Sequence, residues 1–236
     1  MNMTFQLNVL RQDGARLRQA TIGHRVFQVL KQAIVQLQLR PGNPLSEAEV
    51  AKQLGVSRQP VREAFIKLAE AGLVEIRPQR GTFVVLISRR DVENARFLRE
   101  AIEVAIVRKA AMDADAGGIL AIRDTLVRQR EASALGDTGH FLRLDEGFHQ
   151  AIARSVNCGH AWRMLESLKA QMDRVRYLSI PLATPVETLI TQHEAILKAV
   201  EEHVPDRAEA AMREHLSEIL NSLPKIAAAN PDLFVD

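Results

Sequence analysis

Four residues in the second half of this 236-residue chain have the types and spacing for metal chemistry. Asp145 and His149 are four apart, so on a helix they stack on one face. Phe141, Leu142, Phe148 and Ile152 share that stretch at helical spacing, which makes the face a core-facing one. His193 lies among Leu189, Ile196, Leu197 and Val200. His215 lies among Ala208, Ala211, Met212 and Ile219. Three helices thus each turn an imidazole toward a core, and one adds a carboxylate. Burying four such groups separately is costly unless each finds a partner. One shared metal ion satisfies all four together. An Asp with three His suits a borderline divalent ion: Zn²⁺, with Ni²⁺ or Mn²⁺ as alternatives. Taken singly, each histidine is more readily a hydrogen-bonded core residue. His24, His140, His160 and His203 show that histidine is not scarce here.

The elements that must position these residues are all helical. From Asp91 onward the periodicity predicts helices over roughly 91–115, 118–135, 138–155, 158–179, 186–203 and 205–228. Gly117-Gly118, Gly136-Asp137, Asn157, Pro181 to Pro185 and Pro205 separate them. Asp91 is a plausible N-cap for the first. Thr184, Pro185 and Glu187 have the pattern of a capping box with proline in the first turn. Connections this short imply antiparallel neighbours in a bundle.

A different chemistry is written in residues 44–81. Ser46 and Glu49 form a capping box at the start of one short helix, and a turn at Gly55-Val56-Ser57 leads to a second. Ser57 sits where its hydroxyl can cap that second helix, and Pro60 falls in its first turn. Val61, Ala64, Phe65 and Leu68 face a core, while Arg58, Gln59 and Arg62 crowd the other side. Arg and Gln on the first turns of a helix suit major-groove reading, because both make bidentate contacts to base edges. Next come Val74–Arg77, a Pro…Gly turn with Arg80 at its tip, and Thr82–Leu86, which read as a hairpin. A helix over 22–38, ended by Arg40-Pro41-Gly42, completes the order of a winged helix-turn-helix.

Composition agrees with two functions in one chain. Residues 1–87 carry 12 Lys+Arg against 6 Asp+Glu, and residues 88–236 carry 19 against 23. A basic first third on an acidic remainder fits a DNA-binding module joined to a regulatory domain. Hydrophobic residues make up 47% and aromatics only 4%, which favours aliphatic helix packing over a β-sandwich. No apolar run approaches the length needed to span a membrane. The first twenty residues lack a contiguous apolar segment and a small-residue cleavage site, so no secretory signal is expected. The lone Cys158 excludes an internal disulfide and fits a reducing cytoplasm. The expected fold class is mainly α. A flexible arm over 1–20 leads to a winged helix-turn-helix with a small β-hairpin wing over 21–87. An all-α antiparallel bundle over 88–236 follows.

The run GVSRQPVREAFIKLAEAGLVEIRPQRGTFV resembles the signature of the GntR family of bacterial transcription regulators. That resemblance puts Arg58, Gln59 and Arg62 on operator DNA, and puts Arg80 and Gly81 at the wing tip near the minor groove. Family members usually carry a small hydroxyl residue where this chain has Gln59. The segments LDEGFHQAIARSVN and QHEAILKAVEEHVPDRAEAAMREHL resemble the C-terminal effector domain of the FadR-type branch, the FCD domain. Many members bind a metal through an Asp-x-x-x-His pair and two later histidines, which here are Asp145, His149, His193 and His215. The resemblance also implies a small carboxylic acid completing the metal's coordination, held by arginines. Arg99 matches a recurrent arginine of the domain's first helix. Arg143, Arg174 and Arg176 are weaker candidates, and Arg174 and Arg176, two apart on one helix, cannot both point inward.

The expected function is therefore a cytoplasmic, ligand-responsive regulator that binds a palindromic operator as a homodimer, repression being the commoner behaviour in the family. Two other readings compete. An Asp/His₃ site with an open position can activate water, as in a metal-dependent hydrolase. That chemistry wants a general base beside the metal, and the sequence has no HExxH. The other is a purely structural metal tying the bundle together.

Overall fold

A computed structural model describes residues 21–236, and the flexible arm expected over 1–20 lies outside the described residues. The chain forms two compact units. One comprises the described residues up to Arg89 together with Asn230–Asp236, and the other is Arg90–Ala229.

The first unit opens with α1 (Ile22–Val35), capped by the Thr21 hydroxyl, which accepts from the His24 N–H at 3.3 Å. Its face of Val26, Leu30, Ala33 and Ile34 is buried. Removing an Ile or Leu side chain of this kind from water is worth about 1.5–3 kcal/mol. The buried face meets Val61, Ala64, Phe65 and Leu68 of α3 (Arg58–Glu70), the helix on which α1 chiefly packs. Between them lie β1 (Pro44–Leu45) and α2 (Glu47–Leu54). Ser46 caps α2 as expected, accepting from the Glu49 N–H at 3.4 Å. Gly55 ends α2 at φ +65°, a left-handed conformation that glycine adopts without a Cβ penalty. Ser57 stands at the N-cap of α3, but its hydroxyl makes no capping hydrogen bond, so α3 gains nothing from it.

The wing is a three-stranded antiparallel sheet in the order β1, β3 (Gly81–Val84), β2 (Val74–Arg77). Val74 pairs with Val84 and Arg77 with Gly81, and Gln79 and Gly81 turn the hairpin at φ +59° and +101°. A second sheet was not foreseen. β4 (Ile87–Ser88) pairs in parallel with β5 (Phe234–Val235), which follows a short 3₁₀ turn over Pro231–Leu233. The last seven residues therefore return to the first unit, whereas the sequence reading placed all of 88–236 in one domain. Leu233 and Phe234 are buried there. Strands of two residues carry no periodicity from which to predict them.

The second unit is built from seven helices: α4 (Arg89–Asp113), α5 (Ala116–Ala134), α6 (Thr138–Ser155), α7 (Gly159–Leu168), α8 (Ala170–Leu182), α9 (Val186–Glu201) and α10 (Pro205–Ala229). Helix α5 packs on α6 and α9, and α10 packs on α9 and α8. Phe141, Phe148, Ile152, Trp162, Ile122, Ile196, Val200 and Met212 are among the core they share. Asp115 and Asp137 cap α5 and α6 through the N–H groups of Gly118 and His140.

Three local expectations fail. Helix α4 begins two residues before Asp91, which instead sits in the first turn, where a carboxylate suits the helix dipole. Pro185, not Thr184, occupies the N-cap of α9, and Glu187 accepts from the Ser133 hydroxyl at 3.1 Å rather than closing a capping box. The helix expected over 158–179 is interrupted at Lys169, which stands between α7 and α8. The buried Lys169 ammonium donates to Glu146 at 2.6 Å and to Asp173 at 2.7 Å. Leu165, Lys169 and Met172 keep helical spacing across the break, so periodicity does not reveal it. Among the described residues, no helix is long and apolar enough to cross a membrane.

Candidate functional site

In the first unit, α3 leaves Arg58, Gln59 and Arg62 exposed on the face opposite its core stripe. Arg62 is held by Glu47 of α2 through two hydrogen bonds, Nε to Oε1 at 3.1 Å and Nη2 to Oε2 at 3.0 Å. Gln59 donates to Glu63 at 3.2 Å. Arg80 and Gly81 are exposed at the hairpin turn. Beside it, Arg77 lies over the Phe83 ring at 4.9 Å, which stiffens the wing. This unit therefore presents guanidinium and amide groups on a helix, with a further guanidinium on a hairpin.

In the second unit, α6, α9 and α10 bring Asp145, His149, His193 and His215 together. One donor atom from each lies within 4.8 Å of every other, and all four residues are buried. His215 Nε2 is 3.1 Å from His149 Nε2 and 3.3 Å from His193 Nε2. Asp145 Oδ1 is 3.6 Å from His193 Nε2, and its Oδ2 is 3.9 Å from His149 Nε2.

Each opposite ring nitrogen faces an acceptor oxygen, by hydrogen bond for His193 and His215 and at ion-pair distance for His149. His149 Nδ1 lies 2.6 Å from Glu103 Oε2 of α4. His193 Nδ1 lies 2.7 Å from Gln129 Oε1 of α5. His215 Nδ1 lies 3.1 Å from Gln192 Oε1 of α9. Gln129 also donates its NH₂ to the Leu144 carbonyl at 3.1 Å, so its oxygen must face His193. A neutral imidazole has one proton, and an acceptor oxygen beside Nδ1 keeps it there. Every Nε2 then offers a lone pair inward, toward a carboxylate whose Oδ1 is buried without a hydrogen-bond partner. Four acceptors converge with no donor among them. A cation resolves that, and nitrogen and oxygen donors in this number fit a borderline divalent ion.

Electrostatics keep Asp145, His193 and His215 ready for one. Burial pushes the Asp145 carboxyl up, but Arg176 and the three imidazoles outweigh it and hold the group well below 3.8. Burial pushes His193 down to about 3, and burial with the neighbouring histidines pushes His215 well below 6.5. At neutral pH the carboxylate is ionised and these imidazoles are neutral, the forms that bind metal.

A cleft with about 420 Å³ of empty space, its open mouth included, adjoins the cluster. Arg99, Arg176 and His215 line it beside Ser179, Thr184 and Ser222, and Met172, Ile180, Leu189, Leu216 and Ile219 supply apolar wall. Arg99 donates to Glu103 and Arg176 to Asp145. Arg143 is exposed. Arg174 is buried and donates to Gln171 at 2.9 Å, burial lowering it to about 10. The expectation that only one of Arg174 and Arg176 turns inward is corrected, because both are largely covered. Helices α6, α7 and α10 all pack against α8, so more than one of its faces is inside.

Sequence reasoning missed Glu103, Gln129 and Gln192. Each shares a helix with better-known neighbours, and Glu103 lies one turn beyond Arg99. A charged or amide residue within an apolar stripe was the available signal.

Known proteins give an independent view. The family model for bacterial regulatory proteins, gntR family, matches residues 22–84, and the FCD domain model matches 91–218. The chain is 43% identical over 213 residues to the HTH-type transcriptional repressor RspR of Escherichia coli strain K12, covering 90% of this chain and 93% of that one. It is 37% identical over 209 residues to an HTH-type transcriptional regulator in an unstable DNA locus of Streptomyces ambofaciens, covering 89% and 88%. The solved structure of E. coli McbR/YncC superposes with a TM-score of 0.75 at 20% identity, covering 89% of this chain and 99% of that one, a likeness of fold.

Proposed function

The chain belongs to the gntR family of bacterial regulatory proteins and carries an FCD domain, and from that premise we propose how it is controlled. As a member it is a DNA-binding transcription regulator, not an enzyme, and the hydrolase reading finds no support. Our reading is that Asp145, His149, His193 and His215 hold one divalent ion, Zn²⁺ before Ni²⁺ or Mn²⁺. The observation that carries it is the convergence of four buried ligand atoms within 4.8 Å of one another, with Asp145 Oδ1 left without a hydrogen-bond partner.

The effector we propose is a small carboxylic acid in the cleft beside the ion. The bound ion would supply a positive charge to one carboxylate oxygen. Arg99 and Arg176 supply directional donors for the others, since a guanidinium matches a carboxylate with two parallel N–H bonds. Apolar wall from Met172, Ile180, Leu189, Leu216 and Ile219 selects for a short carbon skeleton. Effector binding shifts the balance between DNA-competent and incompetent forms of a cytoplasmic homodimer, through its different affinity for the two. On the output side, Arg58, Gln59 and Arg62 read the major groove of a palindromic operator, and Arg80 with Gly81 reaches the minor groove. Repression is the direction we propose, as the relative named above is a repressor.

A thermal-shift screen of small carboxylic acids on Zn²⁺-loaded protein tests this reading. Duplexes selected from random DNA then report whether each hit alters DNA binding. Raised melting temperature with altered DNA affinity is the expected result, because only a species that binds the folded state stabilises it. An ion serving only to tie the bundle together predicts that no acid shifts either property.

A further inference from the structure

The metal reading names four ligands, and the inference here rests on it. We propose that Glu103, Gln129 and Gln192 form an outer ring that commits all three imidazoles to present Nε2, and that Glu103, the one anion in that ring, sets the metal affinity of the centre.

Each of the three residues places an acceptor oxygen against one Nδ1, at 2.6, 2.7 and 3.1 Å respectively. They come from three helices, α4, α5 and α9, and nothing in the four-ligand motif specifies them. They are not equivalent. Gln129 and Gln192 are neutral amides, whereas Glu103 is a carboxylate that Arg99 and His149 keep ionised against its own burial. Glu103 divides its two oxygens between them, Oε1 toward Arg99 and Oε2 toward His149. A carboxylate behind an imidazole withdraws its proton partway and leaves the far nitrogen a stronger donor. His149 is therefore the strongest of the three nitrogen ligands, and Arg99 moderates it by sharing the Glu103 charge.

The same contacts have a plainer use, as simple partners for buried N–H groups. The two uses separate in the charge. An amide oxygen satisfies an N–H as well as a carboxylate does, but it does not strengthen the far nitrogen. Glu103→Gln keeps the shape and one acceptor oxygen, which His149 Nδ1–H can claim, while it removes the charge and turns an NH₂ toward Arg99.

The experiment is a Zn²⁺ titration of full-length protein against a chromophoric chelator at constant pH, with circular dichroism to check folding. Glu103→Gln should weaken Zn²⁺ binding about 10-fold, and Glu103→Leu, which also loses the acceptor, up to about 100-fold. Gln129→Leu should fall near the smaller of these. The Co²⁺-loaded form adds a signature, since the visible absorption band should move in Glu103→Gln as the His149 donor weakens. Should Glu103→Leu fail to fold, the Glu103→Gln affinity and band decide the matter. A Glu103→Gln protein with wild-type Zn²⁺ affinity and an unmoved Co²⁺ band overturns the role of Glu103. Wild-type protein that takes up no metal overturns the metal reading itself.

Discussion

Two glutamate–arginine pairs in this molecule have the same chemistry in opposite surroundings. Glu47 holds Arg62 in the helix-turn-helix, with side chains 31% and 61% exposed. Glu103 holds Arg99 in the helical domain, with side chains 4% and 5% exposed. Water competes for every bond in the first pair and can replace each one as it breaks. Arg62 is thus oriented but releasable, which suits the base-reading role proposed for it. Nothing replaces the bonds of the second pair, and removing either partner strands a charge in low dielectric. The DNA-reading end is built from contacts that exchange freely. The sensing end is built from contacts that stay made unless a ligand of matching charge enters.

The comparison breaks or sharpens under mutation and pH. The largest effect expected is for His193→Ala, which should abolish stoichiometric metal binding, read by metal analysis of the purified protein, while operator affinity of the ligand-free protein stays within a few-fold. A full metal complement in that variant would place the ion elsewhere.

Acid should come next. The folded His193 holds its proton only below about pH 3, whereas an unfolded histidine takes one up near 6.5. Between those values the unfolded state binds more protons, so stability is full above pH 6.5 and falls as pH drops toward 3. Urea midpoints of metal-free protein should be lower at pH 5 than at pH 7. Equal midpoints would mean that water reaches the imidazoles freely.

Arg99→Leu, which leaves Glu103 facing only His149, should cost about 3–5 kcal/mol in denaturant unfolding. Glu47→Ala should leave the unfolding midpoint unchanged. Equal losses would erase the distinction between the two pairs.

The smallest effect is on DNA. Arg62→Ala should weaken operator binding roughly 10- to 100-fold if it reads a base, measured by gel shift. Glu47→Ala should alter it by less than that, since the guanidinium remains. No loss for Arg62→Ala removes that residue from base reading.

Much of this was legible in the residues. The capping box at Ser46, the turn at Gly55 and the apolar stripe of α3 are local patterns, and the helix-turn-helix follows from them. Asp145 and His149 share a helix, so their common face was certain once the helix was. His193 and His215 stood out because a histidine within an aliphatic stripe is conspicuous. The break at Lys169 was hidden, because helical spacing continues through it. The pairing of β4 with β5 was equally hidden, since residues 87 and 234 are far apart in the chain.

The helical class of the second unit, the two functions of the chain and the four candidate ligands were determined by sequence alone, because amphipathic periodicity and residue chemistry act over a few neighbours. The tertiary structure decided which nitrogen each imidazole offers and which arginines reach the cleft. Glu103, Gln129 and Gln192 meet their histidines across 23 to 64 positions of chain, and hydrogen-bond direction exists only once those helices are packed.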